Sequence, residues 1–356
     1  MNKAQRPVRV AVLTRGLQRV ATLSALLDDA TLVMSRRPSP ENVDRVLAWG
    51  RKPSAAAALS YATRHGLPVW WIEDGFLRSV GLGDREPPLS IVLDDLGIYY
   101  DATGPSRLEH FIASPHDDKA RARANELRQA WLAGRISKYN HAREVQPPVP
   151  GRFVLVVDQT FGDASIAHGL AEAASFARML EAALDEHPDL PVILKVHPDV
   201  VAGRKRGYFD RLSAGAAARV WLVGTDAHPP SLLKPATAVY TVTSQLGFEA
   251  LLWGRQLRVF GMPFYAGWGL TQDEIPPPTR RKVLSRPSLD DLVHATLVDY
   301  PRYLDPESGQ RCEPERLVAW MTLQRLMRER FPLKVHAMRF SRWKKPLVRA
   351  FFRGVR

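Results

Sequence analysis

The chain has 356 residues, 45% of them apolar and 24% charged, with 50 Lys and Arg against 37 Asp and Glu and a net charge of +13. That length implies two domains with cores of their own, and the composition excludes disordered, collagen-like and coiled-coil classes. A single cysteine, Cys312, excludes a disulfide framework and a cysteine-based zinc site, which makes a reducing, cytoplasmic setting the default.

The amino terminus has too short an apolar run for a signal peptide and reads as a first strand, residues 8–13. Further strands are expected at 43–49 and 67–72, with a helix between them that starts at Pro53-Ser54. A glycine- and proline-punctuated stretch follows Asp74, and a helix is expected over 118–132. The segment 144–151, EVQPPVPG, is the best linker. Beyond it a second alternating pattern runs through strands 153–157, 192–196, 220–223, 238–243 and 257–260, with helices near 170–184 and 245–253. The expected fold is α/β, two facing Rossmann-like domains with mostly parallel sheets and a ligand cleft between them. The expected units are 1–147, 148–310 and a C-terminal helix with basic arm, 311–356. There is no P-loop, dinucleotide fingerprint, H-E-x-x-H or G-x-S-x-G motif, and no run of about 18 apolar residues.

Polar residues gather just after four of these strands. Glu73 and Asp74 end one strand beside Trp70 and Trp71, with Arg78 and Ser79 following. A carboxylate against apolar rings suits a general acid or base, and equally a turn whose acids cap backbone amides. The run VDQTFGDAS offers Asp158 and Asp163 as nucleophile, base or helix caps, with Gln159 and Thr160 beside them. Lys195, His197 and Pro198 place cations where an anionic group would bind, although a histidine beside a proline is also ordinary surface. Thr243, Ser244 and Gln245 run from a strand into a helix, where hydroxyls and free amides form a phosphate seat or a plain N-cap. Glu249 lies one turn on, within reach of a ribose hydroxyl. A fifth segment, PFYAGWGLT with Tyr265, lines a sugar site or forms a packed aromatic loop.

At these residues the sequence resembles the bacterial capsule polysaccharide retaining β-Kdo transferases (KpsC type), Kdo being 3-deoxy-D-manno-oct-2-ulosonic acid. The matching strings are EDGFLRSVGLG, PPLSIVLDDLGIYYDATGPSRLE, ISKYN, VVDQTFGDAS, KVHPDV, TSQLGFEALLWG and PFYAGWGLT, in family order. The chain looks like one module, closest in wording to the amino-terminal one of two-module members. The resemblance implies a GT-B-type glycosyltransferase that uses CMP-β-Kdo and retains donor configuration. By it, Asp163 is the nucleophile forming a covalent adduct, Glu73 the acid/base and His197 a further catalytic-site residue. Gln159, Thr160, Lys195, Pro198, Thr243, Ser244, Gln245, Glu249 and Tyr265 would hold the donor, and Asp74, Arg78 and Ser79 the acceptor or a carboxylate. No cofactor or metal is expected, and Asp94-Asp95 would only mimic a metal site. The acceptor would be a lipid-linked saccharide at the cytoplasmic face of the inner membrane. A CMP-sialic-acid-like transferase is the alternative chemistry.

The charge is concentrated at the end. Residues 325–356 carry eleven basic side chains and one acid, while residues 1–324 are nearly neutral. Trp343, Leu347, Phe351 and Val355 recur every fourth residue among Lys and Arg, which suits an anionic membrane surface better than nucleic acid. A helix crossing back onto the first domain would bury the same aromatics.

Overall fold

The computed structural model describes residues 6–81, 86–196, 198–201, 203–209, 217–282 and 286–330. Two sheets organise the described residues. The first has seven strands: β1 (Val8–Ala11), β2 (Ala30–Val33), β3 (Arg45–Trp49), β4 (Val69–Asp74), β5 (Ser90–Asp94), β12 (Pro301–Leu304) and β13 (Arg311–Cys312), in the order β13-β12-β5-β4-β3-β1-β2. The second has six: β6 (Val154–Val157), β7 (Val192–Lys195), β8 (Val220–Val223), β9 (Ala238–Thr241), β10 (Gln256–Val259) and β11 (Gln272–Asp273), in the order β11-β10-β9-β6-β7-β8.

Every pairing in the second sheet is parallel. Its central strands therefore read as uninterrupted apolar runs: VLVV in β6 and AVYT in β9 are buried at every position. The first sheet is parallel only from β2 to β4; β5, β12 and β13 pair antiparallel. Strands β12 and β13 are a correction to the expected division at residue 310, because the chain has already rejoined the first sheet by residue 301. The helix Leu289–His294 likewise packs on the helix Asp118–Gly134 of the first half.

Local signals explain the helix ends. Asp117 accepts from Ala120 N at 2.8 Å at the start of Asp118–Gly134. Gly66 closes Ala56–His65 in the left-handed region. The helix Pro314–Arg330 packs on the helix Asp118–Gly134 of the first half: a Cβ on Gly134 would meet Thr322 Oγ1 at 2.2 Å, so only glycine permits that approach. Arg325 Nη1 donates to Arg135 O at 2.7 Å and to Glu144 at 3.0 Å, and Arg135 and Ser231 also hold Glu144. The proline-rich linker is thus anchored at its first residue. The aromatic residues expected to dock the arm, 343–355, lie outside the described residues. Among the described residues no helix is long and apolar enough to cross a membrane.

Aromatic packing closes the seam between the halves. Phe76, just beyond β4, lies 4.8 Å from Phe264 and 6.1 Å from Phe248, and Tyr99 lies 5.6 Å from Phe264. This puts the carboxyl end of β4 against the helix Gln245–Leu252 and the loop after β10.

Candidate active site

On the first half, β4 delivers Glu73 into a nearly closed position, 8% exposed. Its Oε1 accepts from Trp49 Nε1 at 2.6 Å, and Lys52 Nζ stands 3.8 Å away. Gly50 makes the fit possible: at φ +51° it takes a left-handed turn, and a Cβ there would lie 2.5 Å from the Tyr100 hydroxyl and 2.7 Å from Glu73 Oε2. Burial pushes the Glu73 carboxyl above its usual range; Lys52 opposes this, Asp74 adds to it and Lys138 opposes it. Asp74 is paired with Arg78 at 2.8 Å. Arg78 also donates to Ser79 Oγ and to Glu86 O, and Ser79 Oγ donates to Gly81 O. Arg78 and Ser79 therefore brace the loop after β4 from inside, and the arginine is not the open cation that the sequence led us to expect.

On the second half the two aspartates separate cleanly. Asp158 is buried, and its Oδ1 accepts from Gln159 N at 2.8 Å and Tyr208 N at 3.2 Å. Asp163 is exposed and caps the short helix Ala164–His168 by accepting from Ser165 N at 2.9 Å through Oδ1 alone. The turn that presents it is closed by Asp163 N donating to Thr160 O at 3.2 Å, across Gly162 at φ +79°. Behind it, Gln159 donates from Nε2 to Thr243 Oγ1 at 3.0 Å and accepts from Thr243 N at 2.9 Å, which ties the β6 loop to the β9 loop. Ser165, two residues beyond Asp163, joins this network, its Oγ lying 3.4 Å from Gln159 Nε2 and 3.0 Å from Thr243 Oγ1.

Ser244 caps Gln245–Leu252 by accepting from Leu246 N at 3.2 Å. Gln245 Nε2 donates to Phe76 O at 2.8 Å, a contact across the seam. Tyr265 is fully buried, and its hydroxyl donates to Ser244 O at 2.6 Å, so it supports the cap from behind. Its neighbours Phe264, Ala266 and Trp268 are buried too; the aromatic loop packs, and the sugar-lining role expected of it is not its position. Arg281, itself buried, locks that loop through Pro263 O and Ala266 O and pairs with Glu109.

Two cations lie at the junction. Lys195 ends β7, where burial lowers its ammonium pKa while Asp226 and Glu249 oppose. His197 lies outside the described residues, as does the Pro198 side chain. Lys138, in the ISKYN string, is the functional candidate that our reading of strand ends passed over. Burial pulls its pKa down, but the charges of Tyr139, Asp74, Glu73 and Asp163 outweigh that and leave it raised. Lys138 therefore feels a carboxylate from each half at once. Glu249 backs it: 1% exposed, it accepts from Ser137 Oγ at 2.9 Å and Lys138 N at 3.3 Å. Burial pushes the Glu249 carboxyl up to about 7 against those hydrogen bonds and the nearby lysines. Its contacts are with the ISKYN turn rather than the open cleft where a ribose carboxylate was expected.

Asp94 and Asp95 are consumed structurally. Asp94 accepts from Leu96, Gly97 and Arg107 amides and from the Tyr300 hydroxyl, and Asp95 pairs with Arg107. His116, His294 and Asp299 form the one group of metal-ligand type among the described residues, and both histidines hydrogen-bond Asp299 at 3.0 Å.

Two α/β sheets meeting at a seam, with carboxylates from both halves and the half-buried Lys138 and Lys195 near it, are consistent with a two-domain, Rossmann-like glycosyltransferase architecture. The family model described as "Capsule polysaccharide biosynthesis protein" matches residues 44–147 and 119–303, and the chain belongs to this family. It is 37% identical over 364 residues to the capsule polysaccharide modification protein LipA of Neisseria meningitidis serogroup B, covering 99% of this chain and 51% of LipA. It is 38% identical over 285 residues to the lipopolysaccharide-processing protein LpsZ of Rhizobium meliloti, covering 78% of this chain and 63% of LpsZ. The chain thus spans about half the length of the LipA relatives it matches. Among solved structures it is similar to Thermosulfurimonas dismutans KpsC, beta Kdo 2,4 transferase, at 38% identity and a TM-score of 0.82, over 89% of this chain and 99% of that one. The beta Kdo 2,7 transferase of the same KpsC is less similar, at 25% identity and a TM-score of 0.64 over the same shares.

Proposed function

We propose that this chain is a retaining, GT-B-type Kdo transferase of surface polysaccharide synthesis, using CMP-β-Kdo as donor. The observation that carries the reading is the seam, where the two carboxylate-bearing segments meet: Phe76, just beyond Glu73, packs 4.8 Å from Phe264 and accepts from Gln245 Nε2, and the helix that Asp163 caps accepts through His168 O from Ala102 N at 2.9 Å. Retention by double displacement needs a carboxylate nucleophile on one face of the sugar and an acid/base on the other. Asp163 suits the first role because it is exposed and only its Oδ1 accepts a hydrogen bond. Asp158 is spent on Gln159 and Tyr208 amides.

In the first step an Asp163 oxygen forms a bond to the anomeric carbon as the bond to CMP phosphate breaks. CMP leaves as an anion and needs little protonic help. In the second step an acceptor hydroxyl attacks that carbon, its proton passes to Glu73, and the Asp163 carboxylate is released. Lys138 and Lys195, with His197, offset the negative charge of the donor's carboxylate and phosphate. Thr243, Ser244 and the Gln245 amide seat the phosphate at the start of that helix, whose next two amides already donate to Ser244. No metal is assigned a role. The acceptor is proposed to be a lipid-linked saccharide, and the basic segment 325–356 a contact with anionic lipid at the inner membrane's cytoplasmic face.

Incubation with CMP-Kdo followed by peptide mass mapping tests the mechanism. The expected adduct adds one Kdo to the peptide holding Asp163, and NMR of the product shows the donor's anomeric configuration. An adduct on a peptide lacking Asp163, or an inverted product, overturns it.

A further inference from the structure

The first sheet carries a second feature on the edge that presents Glu73. Strands β2, β1, β3 and β4 are parallel, so the segments after Ala11, Val33, Trp49 and Asp74 all emerge on one side. Beyond β1 and β2 lies a cavity of about 510 Å3 whose wall includes Arg15, Arg36, Arg37 and Arg64, with Thr14 and Ser60 between them. That volume is within the roughly 300–1,000 Å3 of small-molecule sites. Open sheets of this kind bind ligands at the carboxyl ends of their strands.

These arginines differ from their neighbours. Arg9 and Arg6 pair with Asp44, Arg302 with Asp29 and Arg311 with Asp28. Among the described residues, Arg15, Arg36, Arg37 and Arg64 have no carboxylate within ion-pair distance, and no acid lines the cavity. Four like charges around one hollow repel each other and raise the local potential, an arrangement that an anion relieves. The four arginine side chains are exposed, while the backbone that carries them is held in place. Tyr61 on the helix Ala56–His65 donates its hydroxyl to Pro38 O at 2.8 Å, fixing the loop that carries Arg36 and Arg37 against the helix that carries Arg64. Arg37 N donates to Ser35 Oγ at 3.2 Å.

We propose that this cavity is a distal acceptor subsite that binds an anionic group of the acceptor, a sugar-acid carboxylate or a phosphodiester, through the guanidinium forks of these four arginines. It rests on the reading of Glu73 as the residue facing the acceptor. In the order β4-β3-β1-β2, the cavity lies two to three strands from Glu73, about 10–14 Å at the usual strand spacing. That separation sets the bound group back from the reacting hydroxyl, so the subsite reads an acceptor already carrying charge. Planar forks match carboxylate and phosphate equally well, which leaves the source of the anion to the experiment.

The experiment uses the full chain, the double variants Arg36→Gln/Arg37→Gln and Arg15→Gln/Arg64→Gln, and three synthetic probes. These are a Kdo disaccharide glycoside, its carboxamide counterpart, and a Kdo monosaccharide with a glycerophosphodiester aglycone. Calorimetric binding without donor is expected to weaken about tenfold in each double variant for a charged probe, and the weakening is expected to shrink as salt rises. A loss confined to the disaccharide assigns the sugar carboxylate, and a loss confined to the third probe assigns the phosphodiester. Unchanged affinity for both charged probes, or an equal loss for the carboxamide, overturns the subsite. Transfer assays separate the two readings. Wild-type transfer with unchanged acceptor KM in the variants rejects the cavity alone. A wild type that transfers no Kdo, with binding still lost in the variants, rejects the transferase reading and keeps the anion site.

Discussion

The carboxylates that the two halves bring to the seam are built in opposite ways. Glu73 ends a strand of a mixed sheet, is 8% exposed, and is wedged between the Trp49 indole and the backbone of Gly50. Asp163 sits on an exposed turn after a strand of an all-parallel sheet and caps five residues of helix. The buried group is conditioned to hold and release a proton, because burial raises its pKa. In the proposed mechanism the exposed one reaches the substrate. The difference shows that a carboxylate's role is set by what surrounds it, since both follow similar apolar strands.

Replacing Asp163 tests the exposed side and carries the largest expected effect. Asp163→Ala should cut turnover by about 10³-fold or more while circular dichroism and melting stay as in the wild type, and turnover at the wild-type rate would remove the asymmetry altogether. On the buried side, Glu73→Gln should lower kcat/KM by about 10²–10⁴-fold. It should also erase the acidic limb of the pH-rate profile, which in the wild type lies above the ordinary glutamate range because burial raises the folded pKa. A limb that survives the substitution would assign the proton transfer to another group.

Glu249 sharpens the comparison from the second half, as a carboxylate that is buried there. Its folded pKa of about 7 lies above the reference value of 4.5, so the proton is held more tightly in the folded state. Its contribution is complete below pH 4.5 and is lost as the pH rises through about 7. Urea unfolding should show the wild type losing on the order of 3 kcal/mol across that window and Glu249→Gln showing a flatter profile. The smallest effect is at the linker. Arg135, Ser231 and Arg325 outweigh burial and hold Glu144 down to about 2, so its stabilisation is present above the reference 4.5 and fades as pH falls. Solvent screens this partly exposed cluster, and Glu144→Gln should cost about 1 kcal/mol at pH 7, read from the midpoint of denaturation.

Much of this was legible before any coordinates. The second sheet's strands showed in runs such as VLVV, because strands of a parallel sheet are covered on both faces and need no polar alternation. The strand-end clusters were legible as chemistry for the same reason. Lys138 was not, since it follows no strand and acquires its surroundings from Glu73, Asp163 and Glu249, far away in the chain. The separation of Asp158 from Asp163 was equally invisible, because it depends on the Tyr208 amide reaching one and not the other. The arginines of the first-sheet cavity come from three separate segments, so no window of sequence contains them together.

The sequence by itself determined the α/β class with mostly parallel sheets and the family strings, because these follow from local periodicity and from short runs of consecutive residues; that every pairing in the second sheet is parallel came from the structure. The tertiary structure decided which polar side chains are spent on the fold and which remain for chemistry. Arg78, Ser79 and Tyr265 turned inward, the strands at 301–304 and 311–312 joined the first sheet, and Lys138 took the cation's place at the seam. The reason is physical: burial and the distance between charges set these outcomes, and both arise only when segments remote in the chain are packed together.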